Sequence, residues 1–241
     1  MLSLILLPGL ACDAELWRDQ LPAWADPARG HRVTISDVHQ RCATLPEMAR
    51  TLLAESPGRH VLVGASMGGM LALEMQRQAP QQVQALALLG SSPRPDTPEQ
   101  LRLRSDAIGY FEAGRVEEVL QANVMFAFHP DSQGLQGRAQ MVQRYMAMVQ
   151  RAGAAQLIAQ NRAVMARVDS RPSLPTVACP TLVLCGEADK LTPPEHSQEF
   201  VAPGAGIPGA RLAMVQGAGH MLTMEQPEAV NQLLLDWLAT L

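Results

Sequence analysis

A serine between two glycines follows an apolar run without a break: Gly64-Ala65-Ser66-Met67-Gly68 comes directly after His60-Val61-Leu62-Val63 and opens a second apolar stretch, 70–75. Read as strand, tight turn and helix, the order makes mechanical sense. The turn lifts a strained serine to the end of a sheet, and the flanking glycines leave room for neighbouring backbone. By composition alone the five-residue pattern arises by chance in roughly one such chain in ten, so its setting between strand and helix carries the weight. A serine hydroxyl is a poor nucleophile until a base takes its proton, and an imidazole base needs a carboxylate to fix its tautomer. Two later segments offer these groups, each just past an apolar run: Gly186-Glu187-Ala188-Asp189 after 181–185, and Gly217-Ala218-Gly219-His220 after 211–215. Ser66, then Asp189, then His220 is the chain order expected of a serine nucleophile, an acid and a base above one parallel sheet.

Positioning those three side chains is the task of a recurring pattern. Short runs rich in Leu, Val and Ala at 2–7, 32–36, 60–64, 85–90, 181–185 and 211–215 read as strands, most of them apolar on both faces as buried parallel strands are. Helical patterns at 14–24, 45–55, 67–79 and 194–201 alternate with them, which predicts an α/β, doubly wound sheet of about six parallel strands with right-handed crossovers. A last helix beginning near Pro227 presents Val230, Leu233, Leu234, Trp237, Leu238 and Leu241 on one face to dock on the sheet. The alternation stops once. Between 90 and 181 only helical stripes occur, one through Val116, Val119, Leu120 and Val124, another through Leu157, Ile158, Asn161, Val164, Met165 and Val168. Prolines at 93, 95 and 98 and at 172, 175 and 180 bracket this stretch, so the expected organisation is a core of residues 1–92 and 176–241 with a helical cap, 93–175, inserted after the fourth strand. Met125, Phe126, Met146 and Met165 are the cap residues expected to roof a substrate pocket.

Composition narrows the partners. With 241 residues, 47% of them hydrophobic, the chain can bury a substantial core, and a formal charge of -4 gives no basic face for nucleic acid and no polybasic anchor for a membrane. A small molecule is the expected partner, with the chain working as a monomer or homodimer. The four cysteines are scattered and read as reduced packing residues; His31, His39, His60, His129 and His196 fall on different elements, so neither a metal site nor another cofactor is expected. The apolar start at 1–7 has no Lys or Arg before it and stops at Pro8-Gly9, and no stretch is long enough to span a bilayer, so a cytoplasmic location is expected.

Over nearly its whole length the sequence resembles the α/β-hydrolase fold family, on the segments Leu7-Pro8-Gly9-Leu10, Gly64-Ala65-Ser66-Met67-Gly68-Gly69, Gly186-Glu187-Ala188-Asp189, and Gly219-His220 running into Glu225-Gln226-Pro227-Glu228. The resemblance is nearest to Ser-Met-Gly-Gly esterases and enol-lactonases. It implies that Asp189, three residues past the strand-ending glycine, serves as the acid rather than Glu187. It also implies an oxyanion hole from the backbone N–H groups of Leu10 and Met67, with the Pro8-Gly9-Leu10 turn facing Ser66 across the switch point of the sheet. Two departures stand out: Pro8-Gly9 occupies the place of the family's usual His-Gly, and the chain begins at the oxyanion strand, without the family's two leading strands. The activity implied is hydrolysis of a small, mostly apolar ester, thioester or lactone through an acyl-enzyme on Ser66. Carbon–carbon bond hydrolysis, enol-lactone hydrolysis and proline iminopeptidase activity are alternatives on the same scaffold, and a ligand-binding receptor or partner-binding protein with little turnover is the alternative of a different class.

Overall fold

Strands with no polar face are stable only when both faces are covered, and the chain supplies the cover between them. A computed structural model describes residues 2–25, 30–133 and 136–241. Six strands, β1 (Ser3–Leu7), β2 (Arg32–Ile35), β3 (His60–Ala65), β4 (Val83–Leu89), β5 (Thr181–Gly186) and β6 (Arg211–Val215), form one sheet in the order β2-β1-β3-β4-β5-β6. Every pairing is parallel. The six-stranded parallel sheet expected from the sequence is therefore the architecture found.

The helices are α1 (Leu21–Trp24), α2 (Val38–Arg41), α3 (Leu45–Glu55), α4 (Met67–Gln78), α5 (Pro98–Glu112), α6 (Val116–Ala127), α7 (Gln136–Met165), α8 (Pro194–Glu199), α9 (Leu222–Glu225) and α10 (Pro227–Leu238). Because side chains alternate across a strand, β1 sends Leu4 and Leu6 to one side, into a cluster with Trp17, Trp24, Leu234 and Trp237, and Ile5 and Leu7 to the other, among Met48, Leu71 and Phe200. Burying each such large apolar side chain contributes about 1.5–3 kcal/mol. The α10 stripe docks as its spacing predicts, with Val230, Leu234, Trp237 and Leu238 all buried. Among the described residues, no helix is long and apolar enough to cross a membrane.

Some local expectations change. The helix predicted over 14–24 is two short pieces, a 3-10 turn at Ala14–Trp17 and α1, because Pro22 at the start of α1 has no N–H to continue a longer ladder. Not every strand is covered on both faces. Both edge strands, β2 and β6, are partly exposed along their length, with only Val215 of β6 fully buried. Between β4 and β5 the described elements are α5, α6 and α7 with 3-10 turns, and they have a small core of their own, in which Phe111, Leu120, Val149 and Leu157 pack with Ala11. Helix α7 is interrupted at Gly153, which takes φ 71, and Val168 of the predicted second stripe lies beyond the helix end, exposed.

Closest approach between elements occurs where α4 leaves β3. A methyl group added at Gly68 would overlap the Leu7 carbonyl oxygen and come within 2.6 Å of the Leu7 carbonyl carbon, both backbone atoms of β1 that cannot yield cheaply. Gly109 lies mid-helix in α5 with open space around its Cα. Gly68→Ala is therefore expected to destabilise the fold by roughly 4 kcal/mol or more, while Gly109→Ala stabilises it by about 0.5–1 kcal/mol through helix propensity. Urea unfolding of the two variants beside the parent checks both signs, and equal midpoints would contradict the close packing of α4 on β1.

Candidate active site

The sheet changes winding direction between β1 and β3, the place where sites of such sheets form, at the carboxyl ends of both strands. Two turns meet there. Ser66, between β3 and α4, takes φ 53 and ψ -115, a left-handed conformation costly for any residue with a Cβ, and it is held there from both sides. Its N–H donates to the Leu89 carbonyl at 2.8 Å, and its carbonyl accepts the Ser91 hydroxyl at 2.9 Å. The Pro8-Gly9-Leu10 turn lies against it: a Cβ at Gly9 would stand 3.3 Å from both the Ala65 carbonyl oxygen and the Ser66 Cβ. Met67 is the first residue of α4, so its N–H has no intrahelical acceptor.

The structure brings the three predicted side chains into one chain of contacts. His220 Nε2 lies 2.9 Å from Ser66 Oγ, and His220 Nδ1 lies 2.8 Å from Asp189 Oδ2 and 3.0 Å from Oδ1. Asp189, itself buried, is further fixed by the loop after it: Oδ1 accepts the N–H groups of Leu191 and Thr192, each at 2.9 Å, and Oδ2 accepts the Thr192 hydroxyl at 2.9 Å. Burial opposes ionisation of this carboxyl, but the His220 charge and the hydrogen bonds from His220 and Thr192 outweigh it and hold Asp189 below the usual carboxylate range. For His220 burial again comes first, pushing its pKa down, and is outweighed by the charge and hydrogen bond of Asp189, with a further push up from Glu225; the net direction is above 6.5. Glu187 does other work, accepting the Gly217 N–H at 2.6 Å on the surface.

Three supports escaped the sequence reading. Thr192 braces Asp189 as described. Glu225 holds the loop that carries His220, with Oε2 accepting the Gly219 N–H at 2.7 Å while Oε1 accepts both the His129 N–H and the Ser132 hydroxyl at 2.7 Å. Gln160, fully buried on α7, reaches the first turn: its Oε1 accepts the Ala11 N–H at 2.7 Å and its Nε2 donates to the His39 carbonyl at 2.9 Å. His39 in turn donates from Nε2 to the Cys12 carbonyl at 2.8 Å, and burial lowers its pKa, so it acts as a neutral donor. Ala11 has φ 61, and this network holds that strained turn beside Pro8-Gly9. Of these residues only Glu225 had an advance signal, as part of the Glu225-Gln226-Pro227-Glu228 segment that carries the family resemblance, though its role was not read from it.

The four residues expected to roof a pocket do not gather into one lining. Met125 and Phe126 are exposed, at 57% and 49%, on the outer side of α6; Met146 packs with the small core that includes Leu10 and Ala11; Met165 is half-buried at the end of α7. Met146 alone among them shares a cluster with the turn facing Ser66.

Sheet order, the strained serine turn and the two later strand-end loops are those of an α/β-hydrolase. Residues 25–227 match the family described as serine aminopeptidase, S33, and the chain belongs to it. A pimeloyl-[acyl-carrier protein] methyl ester esterase of Edwardsiella ictaluri is 28% identical over 237 residues, covering 94% of this chain and 89% of the relative. Among solved structures, a thermophilic esterase from Thermogutta terrifontis with malate bound superposes with a TM-score of 0.87 at 25% identity, covering 100% of this chain and 90% of that one. The enol-lactonase from Burkholderia xenovorans shares the fold, with a TM-score of 0.86 at 20% identity over 99% of this chain and 91% of that one.

Proposed function

We propose that this hydrolase cleaves carboxylic esters, or the related thioesters and lactones, through an acyl-enzyme on Ser66. One observation carries the reading: His220 Nε2 stands 2.9 Å from Ser66 Oγ while its Nδ1 is engaged by Asp189. A carboxylate at Nδ1 keeps the proton on that nitrogen, so Nε2 is bare and accepts the serine proton. Ser66 Oγ then bonds to the carbonyl carbon, and the carbonyl electrons move onto oxygen. The Leu10 and Met67 N–H groups receive that oxyanion, each such donor being worth roughly 3 kcal/mol of barrier. Collapse expels the alkoxide, which takes the proton from His220. Water, deprotonated by the same nitrogen, attacks the acyl-enzyme and releases the acid, returning the proton to Ser66.

The helical insertion 93–175 acts as the cap, and its small core, with Met146 and Ile158 packed on it, brings apolar side chains to Leu10 and Ala11 in the oxyanion turn. The names of the Edwardsiella and Thermogutta proteins support ester cleavage over other chemistry of this fold. A fluorophosphonate probe is expected to label the purified protein at one equivalent, with the adduct on the peptide containing Ser66, alongside steady hydrolysis of p-nitrophenyl butyrate. An adduct elsewhere overturns the assignment of the nucleophile, and a burst without turnover on any ester overturns the ester-cleavage reading.

A further inference from the structure

The segment leaving β4 begins in contact with the triad. A Cβ at Gly90 would stand 3.2 Å from Asp189 Oδ2 and 3.4 Å from His220 Nδ1, and Ser91 holds the Ser66 carbonyl. A few residues on, the Asp96 side chain is 1% exposed and two arginines converge on it. Arg104 Nε donates to Oδ2 at 2.7 Å, and Arg167 Nη2 lies 2.8 Å from Oδ1, close as an ion pair though not aligned for a hydrogen bond. Arg167 is fully engaged, its Nε on the Arg94 carbonyl and its Nη1 on the Val164 carbonyl. Arg104 is not. Its Nη1 donates to Asn161 Oδ1 at 2.9 Å, a neutral partner, and its side chain keeps 29% exposure.

The charges in this cluster do not balance, since two guanidinium groups share one carboxylate. A mostly desolvated cation that must share its counter-charge is undercompensated, and anions near it are stabilised well beyond what they gain in water. Position shows where an anion would come from. Arg104 sits on the face of α5 that carries Ile108 and Phe111, both buried, so it projects inward. Its partner Asn161 is the neighbour of Gln160, which grips Ala11 beside the proposed oxyanion donor Leu10. The excess charge is thus tied to α7, the helix that grips the oxyanion turn, and it is near enough to His220 to oppose the imidazolium.

We propose that Arg104 is the anchor for an anionic group on the substrate, and that the preferred substrates are esters bearing a second, ionised carboxylate, such as half-esters of dicarboxylic acids. The guanidinium fork suits a carboxylate, and the same charge works against an aminoacyl substrate with its ammonium group. The chemistry rests on the ester-hydrolase reading above, whereas anion binding does not need turnover.

The test pairs neutral and anionic substrates of matched length: p-nitrophenyl butyrate, valerate and hexanoate against the mono-p-nitrophenyl esters of succinic, glutaric and adipic acids. At least one half-ester is expected to exceed its neutral counterpart tenfold in kcat/KM. Arg104→Met is expected to lower that ratio tenfold or more, and Arg104→Lys to keep part of it. The Met variant leaves Asp96 paired with Arg167 alone, so a melting curve accompanies its rates, and Arg104→Lys, which keeps the charge beside Asp96, carries the comparison if the Met variant is unfolded. In parallel, glutarate titrated into Ser66→Ala protein by calorimetry is expected to bind at least tenfold more tightly than into the Ser66→Ala, Arg104→Met double variant. No preference in the parent, or a ratio that moves less than twofold in Arg104→Met, overturns the proposal, as does glutarate binding that ignores Arg104. Failure of Ser66 labelling strikes the ester-hydrolase reading instead, and leaves the glutarate arm to decide Arg104.

Discussion

Ser66→Ala is expected to lower kcat for p-nitrophenyl butyrate by roughly 10⁴- to 10⁶-fold without unfolding the protein. The magnitude follows from what the substitution removes. Only Oγ is lost, and with it the single contact to His220 Nε2; the backbone bonds that hold the strained turn, from Ser66 N–H to Leu89 and from Ser91 to the Ser66 carbonyl, do not involve the side chain. Stability should therefore change by no more than about 1 kcal/mol, the range of one hydrogen bond. What remains is the oxyanion turn and the bound geometry, which can still accelerate attack by water. A melting curve and initial rates on the same preparation separate the two effects. Retention of more than about one hundredth of the parent rate, with the fold intact, would remove Ser66 from the mechanism.

A comparable loss, roughly 10⁴-fold in kcat, is expected for Asp189→Asn, for a reason the loop geometry makes specific. Oδ1 receives two backbone N–H groups, from Leu191 and Thr192, so an amide at this position is forced to put its oxygen there. Its NH₂ then occupies the Oδ2 site and points at His220 Nδ1 and the Thr192 hydroxyl. His220 must accept at Nδ1 and carry its proton on Nε2, the wrong tautomer to take a proton from Ser66. The acid limb of the pH profile supplies a second readout. In the parent, His220 titrates above 6.5, so kcat/KM should fall as pH drops through a value above that point, where the base becomes protonated. Without the Asp189 charge and hydrogen bond, burial dominates and the limb moves to lower pH. A limb that stays in place would mean Asp189 does not govern the base.

The strand pattern and the nucleophile turn were legible because each is local: an apolar run, a glycine-flanked serine and a following helix sit within twenty residues of one another. Asp189 and His220 were legible as candidate acid and base because each stands a few residues past a strand end. Thr192, Gln160 and Glu225 were not, since a helical or loop polar residue looks solvated until its partner, up to 149 positions away, is known. Asn161 gave a hint by standing in a stripe otherwise apolar, and it proves to hold Arg104. The cap residues fared worst. Met125 and Phe126 have the apolar character of a roof, but α6 turns them outward, and periodicity alone does not say which face of a surface helix meets the core.

The carboxylate of Glu225 joins two parts of the molecule that have different jobs. One oxygen holds the residue before the base, and the other holds the segment just after α6 through His129 and Ser132, while Met221, just after the base, donates to the Ala127 carbonyl at 3.0 Å. A displacement of that segment would strain the same carboxylate that holds the loop carrying His220. One carboxylate thus couples two loops distant in sequence, so that whatever disturbs the residues after α6 is felt at the ring of His220.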